Sequence, residues 1–168
     1  MKDWARGFFE ANATFSIGIN LLKSKNKRWV ALKPCVVLHS KDNSKLVAIV
    51  KDLNLNINIS VPKSAIRSGN PTFSINIQRW EDIDEIVRAF KEKSFRSTSR
   101  KLSFNTFVTA YELVKKIGYL HTEWSEEMER VIRLKRLINA SMRTRPGYDE
   151  NTWKKRILEH FNSKTGGE

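Results

Sequence analysis

The pattern of apolar and polar positions changes period several times along the chain. Residues 3–12 carry Trp4, Gly7, Phe8 and Ala11 at helical spacing, with Asp3 placed to cap the start, and predict a short helix. From Ala13 the period becomes two: Phe15, Ile17, Ile19 and Leu21 alternate with Thr14, Ser16, Gly18 and Asn20, as in a half-buried strand. A polar turn, Lys23 to Lys27, leads into a second strand over about 28–39, where Pro34 predicts a bulge or an edge. A helix over 42–53 follows, with Leu46, Val47, Ile49, Val50 and Leu53 as its apolar stripe. Leu55 to Val61 and Phe73 to Ile77 alternate again and predict two more strands, the turn before the last carrying Ser68, Gly69, Asn70 and Pro71. Helices are expected at 81–93, with Ile83, Ile86, Val87 and Phe90 inward, and at 102–117, 125–141 and 148–162. Gly118 and Arg145-Pro146-Gly147 mark breaks between the last three.

This order predicts an α+β fold: an αββαββα unit with a four-stranded antiparallel sheet, followed by additional C-terminal helices. No long linker interrupts it, so residues 1–168 read as one domain. The single cysteine, Cys35, excludes an internal disulfide framework and makes a reducing, intracellular location the default. No run approaches the ~18 apolar residues of a membrane span, and the N-terminal stretch is charged where a secretory signal is apolar, so membrane partners are not expected.

Charge then narrows the function. There are 31 Lys and Arg against 18 Asp and Glu, a formal net charge of +13, and the excess lies mostly before Trp80. Three stretches hold no acid at all: Ala11–Lys41, Leu53–Trp80 and Lys93–Tyr111. Surfaces normally intersperse both signs, so acid-free stretches point to a face that meets phosphates. Within them the outward strand positions are neutral hydrogen bonders: Thr14, Ser16 and Asn20, then Asn56, Asn58 and Ser60, then Thr72, Ser74, Asn76 and Gln78. Amides and hydroxyls both donate and accept, as reading base edges requires, and a two-stranded ribbon fits the major groove. Lys23, Lys25, Lys27, Arg28 and Lys33, with His39, Lys41, Lys63 and Arg67, would grip the backbone of double-stranded DNA. A basic RNA-binding or ribosomal protein is the competing class. It would show aromatics on the exposed strand face, whereas Phe15 and Phe73 fall on the core-directed phase. His39, His121 and His160 are too scattered for a histidine metal site.

The segment Ala5-Arg6-Gly7-Phe8-Phe9-Glu10-Ala11-Asn12-Ala13, followed by Thr14-Phe15, resembles the motif of the LAGLIDADG homing endonucleases. Gly7, Phe8, Glu10 and the Thr14-Phe15 pair match by type, while Arg6, Asn12 and Ala13 depart. The resemblance covers roughly residues 3–117 and implies a site-specific DNA endonuclease, commonly intron-encoded, in a cytoplasmic or organellar setting. One motif copy implies a C2 homodimer on a long pseudo-palindromic site, its interface built on Trp4, Gly7, Phe8 and Ala11. It further implies Mg²⁺ or Mn²⁺, with Ca²⁺ as a non-catalytic substitute, held at motif position eight and by the Ala11 backbone carbonyl, and assisted by Arg100, Lys101 and Ser40. Position eight is normally an acid and is here Asn12. Three readings follow, in this order of preference: an engineered Asp-to-Asn change that blocks cutting, a natural binder without nuclease activity, or transfer of the metal role to Glu10. Glu10 lies about 200° around a helix from Asn12, which places the third last. A DNA-binding regulator or intron maturase on the same fold is the alternative function, and the first reading implies that Asn12→Asp would restore metal-dependent cleavage.

Overall fold

A computed structural model describes residues 2–59, 72–92, 94–138, 140 and 148–163. Contacts divide the chain into two compact units, Met1–Phe15 with Cys35–Lys101, and Ser16–Pro34 with Leu102–Glu168. The described strands are β1 (Ala13–Lys23), β2 (Arg28–Ser40), β3 (Phe73–Ile77) and β4 (Leu120–His121), in one sheet of order β1-β2-β3 with β4 also paired to β2. The described helices are α1 (Asp3–Asn12), α2 (Asn43–Asp52), α3 (Trp80–Glu92), α4 (Thr98–Ile117), α5 (Glu126–Leu137) and α6 (Glu150–Asn162).

In the first unit, α1 passes into β1 without a loop, because Ala13 already has extended backbone angles (φ −79°, ψ 139°). Lys2, not Asp3, is the N-cap; Asp3 lies inside the first turn, 3.6 Å from Arg6. Helix α1 buries Ala5 and Phe9, and Phe9 meets Phe90 of α3 with ring centroids 5.2 Å apart. Phe90 stacks on Phe95 at 4.2 Å, and Phe95 meets Phe15 edge-on at 6.0 Å, so four aromatics join α1, β1 and α3. The expected inward positions of α3, Ile83, Ile86, Val87 and Phe90, are all buried. Strand β3 pairs antiparallel with β2, from Val36 opposite Ile77 to Ser40 opposite Phe73. Asp42 caps α2, accepting from the Ser44 amide at 2.9 Å and the Ser44 hydroxyl at 2.6 Å, and its carboxyl is held below the usual range chiefly by that hydroxyl bond.

The alternating stretch from Leu55 does not form a strand over residues 55–59; residues 60 and 61 lie outside the described set. The Asn56 amide donates 3.0 Å to Oδ1 of Asp82 on α3, a side-chain partner in place of a ladder partner. Asp82 is only 4% exposed and faces Arg79 Nε at 3.8 Å, so this buried carboxylate ties the segment to α3.

In the second unit, the fourth strand of the sheet is β4, pairing Val30 with His121 and Ala31 with Leu120. It follows Gly118, whose φ of +84° ends α4 as a glycine can at low cost. Pro34 does not interrupt β2. On the edge shared by β3 and β4 it sits between the β4 pairing, which ends at Ala31, and the β3 pairing, which begins at Val36. Helix α5 is capped by Ser125 and α6 by Asp149, and the two are linked by Arg133–Glu150 at 3.0 Å and Lys154–Glu129 at 2.9 Å. Among the described residues no helix is long and apolar enough to cross a membrane.

Candidate nucleic-acid interface and the end of the motif helix

The last turn of α1 brings together four residues of the motif region. A helix ends with four carbonyls lacking intrahelical donors, and its C-terminus carries partial negative charge. The Asn12 side-chain amide donates to the Phe8 carbonyl at 2.9 Å. The Arg100 guanidinium donates to the Ala13 carbonyl at 2.8 Å and to the Ala11 carbonyl at 3.2 Å. Burial holds the Arg100 pKa below the usual arginine value, opposed by the nearby Glu10 charge, and the group remains a cation.

Glu10 reaches the start of α4. Its carboxylate accepts from the backbone amides of Ser97 and, at 3.3 Å, Arg96, immediately before α4. A carboxylate there satisfies orphan amides and complements the positive helix end. This long-range cap explains why α4 begins at Thr98, four residues earlier than its apolar pattern predicts. Arg100 and Lys101 therefore sit in the first helical turn, and not in a loop; Lys101 is exposed and its amide donates to the Ser97 carbonyl at 2.9 Å.

These donor commitments test whether a divalent ion fits. Ala11 and Ala13 oxygens are occupied by a guanidinium, Glu10 is bound to backbone amides, and Asn12 is neutral with its nitrogen on Phe8. Among the described residues no three His, Cys, Asp or Glu stand together as metal ligands. This set does not fit Mg²⁺, which needs carboxylates to offset its dehydration. Ser40 is also committed elsewhere: its hydroxyl accepts from the Asp42 amide at 3.0 Å in the turn before α2.

The β2–β3 register sorts the expected DNA-contacting residues of the first unit by face. His39 opposite Ser74 and Val37 opposite Asn76 share one face, while Ser40 opposite Phe73, Leu38 opposite Ile75 and Val36 opposite Ile77 share the other. His39, Asn76 and Gln78 are exposed and Ser74 is half-buried; Thr14 and Lys41 are exposed and Thr72 half-buried. Ser40 thus lies on the face opposite His39. The Cys35 thiol donates to Asn76 Oδ1 at 2.8 Å, which leaves the Asn76 NH₂ as the group it can offer outward. Asn56 and Asn58 are exposed but lie on the non-strand segment. Ser60, Lys63 and Arg67 lie outside the described residues.

In the second unit, Asn20, Lys23, Lys25, Lys27 and Lys33 are exposed, and Ser16 and Arg28 are half-buried. The turn between β1 and β2 is closed by the Ser24 amide donating to the Lys27 carbonyl at 2.8 Å. His160 of α6 bonds through Nε2 to the carbonyls of Leu22 (2.9 Å) and Trp29 (3.1 Å), fixing the base of this basic turn. A cleft of about 570 Å³ beside it is lined by Asn26, Lys27, Arg28, Thr122 and Phe161–Ser163. Nothing local in α6 signals that role, since the pattern of the last helices is only that of amphipathic packing.

Of the positions expected at a dimer interface, Trp4 is 44% exposed, Gly7 and Ala11 are exposed, and Phe8 is half-buried. A Cβ placed on Gly7 meets no atom within 4 Å.

The chain matches no curated protein sequence. The structure is similar to that of the archaeal intron-encoded homing endonuclease I-Vdi141I complexed with DNA, with a TM-score of 0.71 at 16% identity over 95% of this chain and 92% of that one. The homing endonuclease I-TnaI matches with a TM-score of 0.68 at 12% identity, over 95% and 98% of the two chains. I-SmaMI, bound to uncleaved DNA in the presence of calcium ions, matches with a TM-score of 0.64 at 24% identity over 94% of this chain, which spans about half (49%) of that one. These likenesses establish the fold. The family model described as LAGLIDADG endonuclease matches residues 5–111, from the motif helix through most of α4, and on that match the chain belongs to the LAGLIDADG endonuclease family.

Proposed function

We propose that this chain binds double-stranded DNA site-specifically as a C2 homodimer, on a long pseudo-palindromic site, and that its form of the family's motif helix lacks the acid on which cutting depends. The carrying observation is the chemistry of the outward strand positions. In the first unit, exposed His39, Asn76 and Gln78 with Ser74 offer donors and acceptors without an acid among them. In the second, exposed Asn20 and Lys33 accompany a turn carrying Lys23, Lys25 and Lys27. Neutral amides read base edges and lysines position the backbone. Phe15 is fully buried and Phe73 shares the Leu38–Ile75 face, so neither ring stands on the His39 face as a stacking platform for RNA bases. The exposed Trp4, Gly7 and Ala11 on α1 support an isologous interface there. The I-Vdi141I and I-SmaMI structures of this fold are DNA complexes.

Selection of bound duplexes from a random library tests the reading. A long consensus with two-fold pseudo-symmetry is expected. Uniform weak binding that collapses with salt, or a short asymmetric consensus, would refute it.

A further inference from the structure

The family's nucleases use divalent metals, yet the Ala11 and Ala13 carbonyls and the Glu10 carboxylate are already engaged at the end of α1, and Asn12 offers only a neutral amide oxygen. The guanidinium of Arg100 bridges the Ala11 and Ala13 carbonyls, the Asn12 amide holds Phe8, and Glu10 is withdrawn to the start of α4. The positive charge at the motif terminus is therefore covalently attached to the protein. We propose that Arg100 stands in the place of the divalent ion, as a resident cation that contacts a DNA phosphate, so that site-specific binding by this chain is independent of divalent metal.

Three features support the substitution. A guanidinium carries five N–H groups, and the two bonds to α1 leave three further donors for a phosphate, which it can meet in a bidentate manner. Its position is over-determined, since it closes the negative end of α1 from the first turn of α4, the helix whose start Glu10 caps. A dication entering here would have to displace two charge-assisted bonds without gaining a carboxylate in return. Asn12 belongs to the same arrangement, because an amide can donate to Phe8 and a carboxylate cannot.

The inference rests on the proposed DNA-binding function, and the experiment separates the two. Wild-type protein is titrated into Mn²⁺ while free Mn²⁺ is followed by electron paramagnetic resonance, alone and with the selected duplex. Affinity for that duplex and for a scrambled one is measured in EDTA and in Ca²⁺. The expected result is no saturable Mn²⁺ uptake per protomer, with equal preference for the selected duplex in both buffers. Arg100→Gln should weaken duplex binding about tenfold and lower the salt slope by about one per protomer. Arg100→Lys should keep the slope and lose part of the affinity, because the charge remains without the planar fork. Stoichiometric Mn²⁺ uptake by the wild type, or a requirement for Ca²⁺, would overturn the inference and leave the DNA-binding function standing. Equal binding of selected and scrambled duplexes in both buffers would overturn that function, and the inference with it.

Discussion

Replacing Asn12 by Asp restores the family's usual acid, and the structure predicts that doing so destabilises the protein. The wild-type amide donates to the Phe8 carbonyl at 2.9 Å; a carboxylate at the same place points an anion at that oxygen. Losing the bond costs about 1 kcal/mol. Placing a negative charge on the last residue of α1 opposes the helix dipole and adds about 0.5–1 kcal/mol, reduced by solvent because the position is half-buried. The total of about 1.5–2 kcal/mol corresponds to a fall in Tm of about 3–8 °C for a chain of this size. Thermal unfolding in EDTA near neutral pH measures it. Asn12→Ala is the reference, because it removes the bond without adding charge and should lose about 1 kcal/mol. The penalty of Asn12→Asp should shrink in acid, where a protonated carboxyl can donate to Phe8 again. An Asn12→Asp protein as stable as wild type in EDTA, or more stable than Asn12→Ala, would show that the Phe8 bond and the helix end do not set the preference at this position. The same change would not by itself restore metal-dependent cleavage, because Arg100 still holds the Ala11 and Ala13 carbonyls.

Phe90→Ala removes the ring between Phe9 and Phe95 and should cost about 3–5 kcal/mol, read as a large loss of urea resistance without a change in the DNA consensus of the surviving folded fraction. Asp149 is held below the usual carboxyl pKa chiefly by the Thr152 amide, so its capping contribution is present above the unfolded value and is lost as pH falls through the lower folded one; Asp149→Asn, which keeps an acceptor but cannot titrate, should flatten the acid side of the stability profile. Asn76→Ala should relax base preference at one symmetry-related pair of positions while leaving the salt dependence unchanged, as determined by repeating the selection. Lys25→Gln should weaken all sequences alike and reduce the salt slope by about one per protomer, measured by fluorescence anisotropy over a salt series.

What could be read from the residues alone follows from the range of each interaction. Alternation over Phe15 and Ile17 and the inward stripe of α3 are set by local periodicity, and both are found as expected. The motif helix is likewise recognisable, because Gly7, Phe8, Glu10 and Thr14-Phe15 recur within a dozen residues. The stretch from Leu55 to Ile59 has the same alternation as a strand, but its Asn56 amide is taken by Asp82, a partner 26 residues away. Strand β4 is two residues long, too short to leave a pattern. The early start of α4 depends on Glu10, 87 residues before Ser97, and the occupation of the motif terminus depends on Arg100, 89 residues after Ala11. Those are contacts that periodicity cannot register, and they decide how the motif helix ends. Residue types at the site were legible; which atoms each had already committed was not.

As proposed, this member of the LAGLIDADG family reads a specific duplex through its strand faces without divalent metal. Competition of the selected duplex against its scrambled counterpart, in EDTA and across a salt series, tests it most directly. A preference of at least about a thousandfold, maintained without metal and at a stoichiometry of two protomers per site, is the predicted result. Equal affinity for both duplexes at every salt concentration would contradict it.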